Sequence, residues 1–114
     1  MRIVNVTRGT ELAGNASMAR SYWQRMVGLL GRASLKPGEA LVLEPCSSVH
    51  TAFMRFPIDV LYVDRSARVV KACSDVRPFR FSAVFRGARS VIELPAGTLV
   101  STQTGPGDHI AFES

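Results

Sequence analysis

Apolar and polar positions alternate with a period of two along most of this chain, and the period lengthens toward that of a helix at one place only. Arg2 to Thr7 sets Ile3 and Asn5 against Val4 and Val6, which predicts a first strand, and Arg8-Gly9-Thr10 predicts a turn. From Ser17 onward Tyr22, Met26, Leu29 and Leu30 fall at i, i+4, i+7 and i+8, on one face of a single N-terminal helix. Asn15 or Ser17 can cap its start, and Gly28 or Gly31 can end it. After the turn signal Lys36-Pro37-Gly38, Ala40 to Glu44 reads as a strand.

Between Ser48 and Met54, alternation sends Val49, Thr51 and Phe53 to one side and Ser48, His50, Ala52 and Met54 to the other. Pro57 has no N–H to give a ladder and marks a strand start, an edge or a bulge. Ile58 to Val63 is rich in β-formers, and Asp64-Arg65-Ser66-Ala67 turns it back into Arg68 to Ala72 as a hairpin. Ser74 to Gly87 reads as a long loop holding a short strand. Ser90 to Leu94, Thr98 to Thr102 and His109 to Phe112 are expected strands, separated by the turns Pro95-Ala96-Gly97 and Gly105-Pro106-Gly107-Asp108. The expected fold is a single mainly β domain over residues 1–114, a β-sandwich or partly closed barrel with one N-terminal helix.

Composition adds the compartment and the charge. No apolar run approaches the roughly 18 to 20 residues that span a bilayer, so no membrane segment is expected. The start MRIVNVTRGTEL lacks a basic lead into an apolar stretch, which places the protein in the cytoplasm with Cys46 and Cys73 reduced. The net charge of +5 comes mostly from arginine, and Arg77, Arg80, Arg86 and Arg89 interleave with Phe79, Phe81 and Phe85. Such a segment could meet phosphates or an acidic partner. No nucleic-acid motif accompanies it, and the reading favours a solvated arginine-rich loop.

The chemistry gathers on Cys46 to Asp64. Asp59 lies between Ile58 and Val60, where a carboxylate must be paired or hydrogen-bonded. It is either a structural clamp, on an arginine such as Arg32 or on loop amides, or a ligand-facing acid; the clamp is favoured because structural ion pairs perturb carboxylates as sites do. Glu93 faces away from Ile92 and Leu94, and were it to converge with Asp59 the two could do acid–base work. The turn after Glu93 needs Gly97 for a positive φ, which by itself accounts for Glu-Leu-Pro-Ala-Gly. Cys46 and His50 in one strand would stand about 13 Å apart, too far to share a metal. His109 is isolated in sequence, so neither a metal nor a cofactor is expected. Ser47, Ser48, Thr51 and Arg55 surround His50 with polar groups beside Phe53 and Phe56, a composition that suits a shallow binding site.

Four motifs occur in order: RMVGLLGR from Arg25, FPIDVLYVD from Phe56, VIELPAG from Val91 and GDHIAF from Gly107. Together, from about Ile3 to Phe112, they resemble the bacterial and archaeal "domain of unknown function 192" family. That family reads roughly G-L-M-x-R, W-M-x-N-T-x-x-P-L-D-x-x-F-x-D, L-E-L-P-A-G and G-D. Its W-M-x-N-T falls on His50-Thr51-Ala52-Phe53-Met54, so no ligand role is carried over to those positions. The resemblance implies a small jelly-roll-like domain and brings no established activity. The leading expectation is a non-enzymatic binding or accessory module, with no catalytic residue assigned. Its protein or small-molecule partner would be met by His50, Thr51, Arg55, Asp59 and Glu93, with Arg32 beside them. The alternatives are a hydrolase or lyase using Asp59 and Glu93 on a small polar ligand or, by fold analogy, a carbohydrate, and a basic adaptor using Arg77 to Arg89.

Overall fold

The computed structural model describes residues 1–19, 35–44, 49–50, 56–77, 81–82 and 87–114. They form ten strands and one helical turn: β1 (Arg2–Asn5), β2 (Thr10–Ala13), β3 (Asn15–Ala19), β4 (Glu39–Leu43), β5 (Val49–His50), β6 (Ile58–Val63), β7 (Val69–Val76), β8 (Phe81–Ser82), β9 (Ser90–Pro95), α1 (Thr98–Ser101) and β10 (Ile110–Glu113). The protein is mainly β. A five-stranded sheet runs β3-β4-β9-β6-β7, a three-stranded sheet runs β10-β1-β2, and β5 pairs with β8. These orders are open, and no closed barrel forms among the described residues.

The larger sheet is apolar on both faces. Val42, Ile92 and Leu61 stand in line across β4, β9 and β6, and Leu43, Val91 and Tyr62 stand in line one residue along, on the other face. The first face packs with Leu94 and Val63 against Ile3, Leu12, Ala13 and Ile110 of the small sheet and against Leu99 of α1. The second gathers Ile58, Val60 and Tyr62 with Leu35 and Phe56. A strand covered on both sides has no polar face to alternate with, which is why Ile58–Val63 is buried at every position and reads as a nearly unbroken apolar run.

The β6–β7 hairpin forms as its turn chemistry predicts. Asp64 Oδ1 accepts the N–H groups of Ser66 and Arg68 at 2.8 and 3.0 Å, and Ala67 takes a φ of 62°. Beyond the turn β7 pairs with β6 from Val69 to Val76, so it takes in Ser74, Asp75 and Val76, which were expected in a loop.

Two other expectations change. Asn15 and Ser17, expected as helix caps, lie in β3, which pairs in parallel with β4; the helix carried by Tyr22, Met26, Leu29 and Leu30 falls outside the described residues. Thr98 to Thr102 turns as a helix where a strand was expected. Its β-branched composition favours a strand locally, but a carboxylate from β6 caps it, and that tertiary bond overrides propensity.

Candidate functional site

Asp59 is fully buried in the middle of β6. It stands opposite Leu94, so its side chain belongs to the face that packs against the small sheet and α1. Its Oδ1 accepts the N–H of Asp75 at 2.8 Å, and its Oδ2 accepts those of Gly97 at 3.1 Å and Leu99 at 2.9 Å. Gly97 is the residue before α1 and has no side chain to cap it. The carboxylate therefore does from another strand what a capping Ser or Asp does from within a helix. On its other side it holds Asp75, whose φ of 54° marks the irregular end of β7.

Gly97 takes the positive φ expected of it, 95°. A Cβ there would meet nothing within 4 Å, so the requirement lies in the backbone alone. Gly97→Ala is expected to cost about 1–2 kcal/mol, the price of a left-handed conformation for an L-residue, with an unchanged denaturant m-value. Urea unfolding measures both.

Glu93 is also buried, and it is engaged in a polar interaction. The register places it opposite Val60 on β6 and Leu41 on β4, one residue out of step with Asp59. Because facing alternates along a strand, Asp59 and Glu93 project from opposite faces of the sheet. They do not converge on one cleft, and the carboxylate pair required by the hydrolase or lyase alternative is not assembled.

His50 lies in β5 opposite Phe81 of β8. Thr51, Arg55, Arg32 and Cys46 fall outside the described residues, so the suggested Arg32–Asp59 pair does too. Of the arginine-rich segment, Arg77 forms an ion pair with Asp75 at 3.0 Å and Arg89 lies 3.9 Å from Glu44; Arg80 and Arg86 are outside the described set. Cys73 is a free thiol in β7. Among the described residues no group of three or more His, Cys, Asp or Glu could hold a metal ion, and no helix is long and apolar enough to cross a membrane.

A second buried polar cluster was not anticipated. Asn5, fully buried at the end of β1, donates from Nδ2 to Thr104 Oγ1 and to Asp108 Oδ2, both at 3.0 Å. Asp108 Oδ2 also accepts the N–H of Gly105 at 3.0 Å and lies 3.6 Å from Arg8 Nε. Thr102 and Thr104 share a hydroxyl contact at 2.8 Å, and Thr10 donates to the Thr102 carbonyl. Burial pushes the Asp108 carboxyl up, but the hydrogen bonds from Asn5 and Gly105 and the charge of Arg8 outweigh it and hold the group below its ordinary value. The sequence signal was present in the alternation that set Asn5 on the same side as Ile3, the side that the fold buries.

A family model described as DUF192, Uncharacterized ACR, matches residues 3–112. The chain belongs to the DUF192 family. UPF0127 proteins of the same family are similar to it. One from Pyrococcus horikoshii is 34% identical over 116 residues, covering 96% of this chain and 97% of the relative. Another, from Pyrococcus furiosus, is 32% identical over 116 residues, covering 96% and 97%. Two solved structures share the fold at lower identity. A protein of unknown function from Novosphingobium aromaticivorans superposes with a TM-score of 0.80 at 19% identity, over 98% of this chain and 84% of that one. A putative transcription regulator from Sinorhizobium meliloti gives 0.77 at 20% identity, over 96% and 89%. The four motifs quoted from the sequence lie within the DUF192 match, and three of them hold Asp59, Gly97 and Asp108.

Proposed function

We propose that this DUF192 protein is a non-enzymatic binding or accessory module, whose ligand or partner is met by the polar stretch around His50, Thr51 and Arg55. The observation that carries the reading is the opposite facing of Asp59 and Glu93. The two buried carboxylates that the sequence offers for acid–base work stand on different faces of the sheet, and one of them already holds three backbone amides. What is left of the polar cluster is suited to recognition: an imidazole, a hydroxyl and a guanidinium within a short stretch beside Phe53 and Phe56.

The test is a thermal-shift panel of divalent metal ions, sugars, nucleotides and acidic peptides on the wild-type protein, His50→Ala and Arg55→Ala. A compound present at 100 times its Kd adds about 2.7 kcal/mol, which raises the midpoint of a domain this size by about 10 °C. The expected result is a stabilising class whose effect is lost in His50→Ala or Arg55→Ala. Shifts that persist unchanged in both variants, or turnover of a sugar by the wild-type protein, would overturn the reading.

A further inference from the structure

An open cleft of about 420 Å³ lies at the end of β6, lined by Glu44, Val63, Asp64, Arg65, Ala67, Arg89, Ser90 and Phe112. Its acidic groups are each engaged by the protein through one oxygen. Glu44 Oε2 accepts the hydroxyl of the buried Ser90 at 2.7 Å, and Asp64 Oδ1 closes the hairpin turn on two backbone amides. Among the described residues no acceptor pairs with the exposed Arg65 side chain. Arg89 is anchored through its backbone N–H to Val63 at 2.8 Å, while among the described residues its half-exposed guanidinium makes only the long 3.9 Å contact with Glu44. The rest of the lining is apolar, with Val63 buried and Phe112 exposed.

We infer that this cleft is a binding site for small amphiphilic carboxylates, with Arg65 and Arg89 receiving the anionic head and Val63, Ala67 and Phe112 the aliphatic body. The donor–acceptor balance decides the sign of the ligand. Each guanidinium presents a planar fork of N–H donors that matches a carboxylate, and both arginines line the cleft. Glu44 lies 3.9 Å from Arg89 Nε, beyond hydrogen-bond distance. The apolar wall decides against inorganic phosphate, which has nothing to lay against it. This inference uses none of the residues of the His50 stretch, so each can fail without the other.

The experiment is an NMR titration of the full chain with hexanoate, and with acetate, hexanamide and inorganic phosphate as comparisons. Hexanoate is expected to bind with a Kd on the order of millimolar for its size, moving the amides of Arg65, Ala67, Arg89 and Ser90 while those of Gly97 and Leu99 stay in place. Acetate should bind more weakly, by up to about fourfold for each methylene that the wall buries. Arg65→Gln and Arg89→Gln should each weaken hexanoate by about tenfold with the thermal midpoint kept, since both side chains are exposed. Hexanamide moving the same amides at the same concentration would overturn the anionic head, and phosphate binding as tightly as hexanoate would overturn the apolar wall. No saturable shift, or variants that bind like the wild type, would overturn the site.

Discussion

Asp59→Ala should lower stability by about 4 kcal/mol and the thermal midpoint by about 15 °C, followed by circular dichroism on heating. The size follows from what the carboxylate holds. It accepts three backbone N–H groups, of Asp75, Gly97 and Leu99. Hydrogen bonds to a charged group contribute about 1.5–3 kcal/mol each, and the donors that can reach water on opening recover part of that. Asp59→Asn keeps one acceptor oxygen and turns an NH₂ toward a donor, so about half of the loss should remain. A change of less than about 1 kcal/mol in Asp59→Ala would mean that the three amides are satisfied some other way.

Asp108→Ala is the second large effect, at about 2–3 kcal/mol, because it leaves the Gly105 amide without its acceptor and removes one of the two acceptors of Asn5 Nδ2. It also carries a pH signature. The folded-state carboxyl lies below its ordinary value, so its contribution is fully present above the unfolded value of about 4 and is lost as pH falls through the folded value. Wild-type stability should therefore decline across that acid window, and Asp108→Asn should start lower at neutral pH and decline less. Urea midpoints between neutral and acid pH measure the difference. Equal slopes in the two proteins would show that Asp108 is not held in its charged form by the fold.

The parts of this structure legible in the sequence are those decided within a few residues. The β6–β7 hairpin was readable because Asp64-Arg65-Ser66-Ala67 closes its own turn through one aspartate side chain. Gly97 was readable because a positive φ is a property of a single residue. That Asp59 must be held by something followed from a charge in an apolar run; that its partners are the amides of Asp75, Gly97 and Leu99 did not, since these lie 16 to 40 residues away. The same distance hid α1, whose Thr-Leu-Val sequence prefers a strand until another strand caps it. It hid the parallel pairing that makes Asn15–Ala19 a strand. It also hid the contact between Asn5 and Asp108, 103 residues apart.

The carboxylate pair shows how a correct local reading leaves a global question open. Each strand's alternation gave the facing of Asp59 and Glu93 relative to its own neighbours. Only the register of β6 on β9, which puts Asp59 beside Leu94 and Glu93 beside Val60, fixes the two facings relative to each other. One residue of slip would have brought both carboxylates to one side.

Amide hydrogen exchange at Asp75, Gly97 and Leu99 tests most directly whether Asp59 is a fastening inside the fold or an acid that faces a ligand. If the carboxylate binds these amides as described, all three exchange only through large openings in the wild-type protein. In Asp59→Asn they should accelerate by more than the amides of Ile92 and Leu61 in the same sheet. Fast exchange at Gly97 and Leu99 in the wild-type protein, while Ile92 and Leu61 stay protected, would contradict the clamp and return Asp59 to the list of groups open to a ligand.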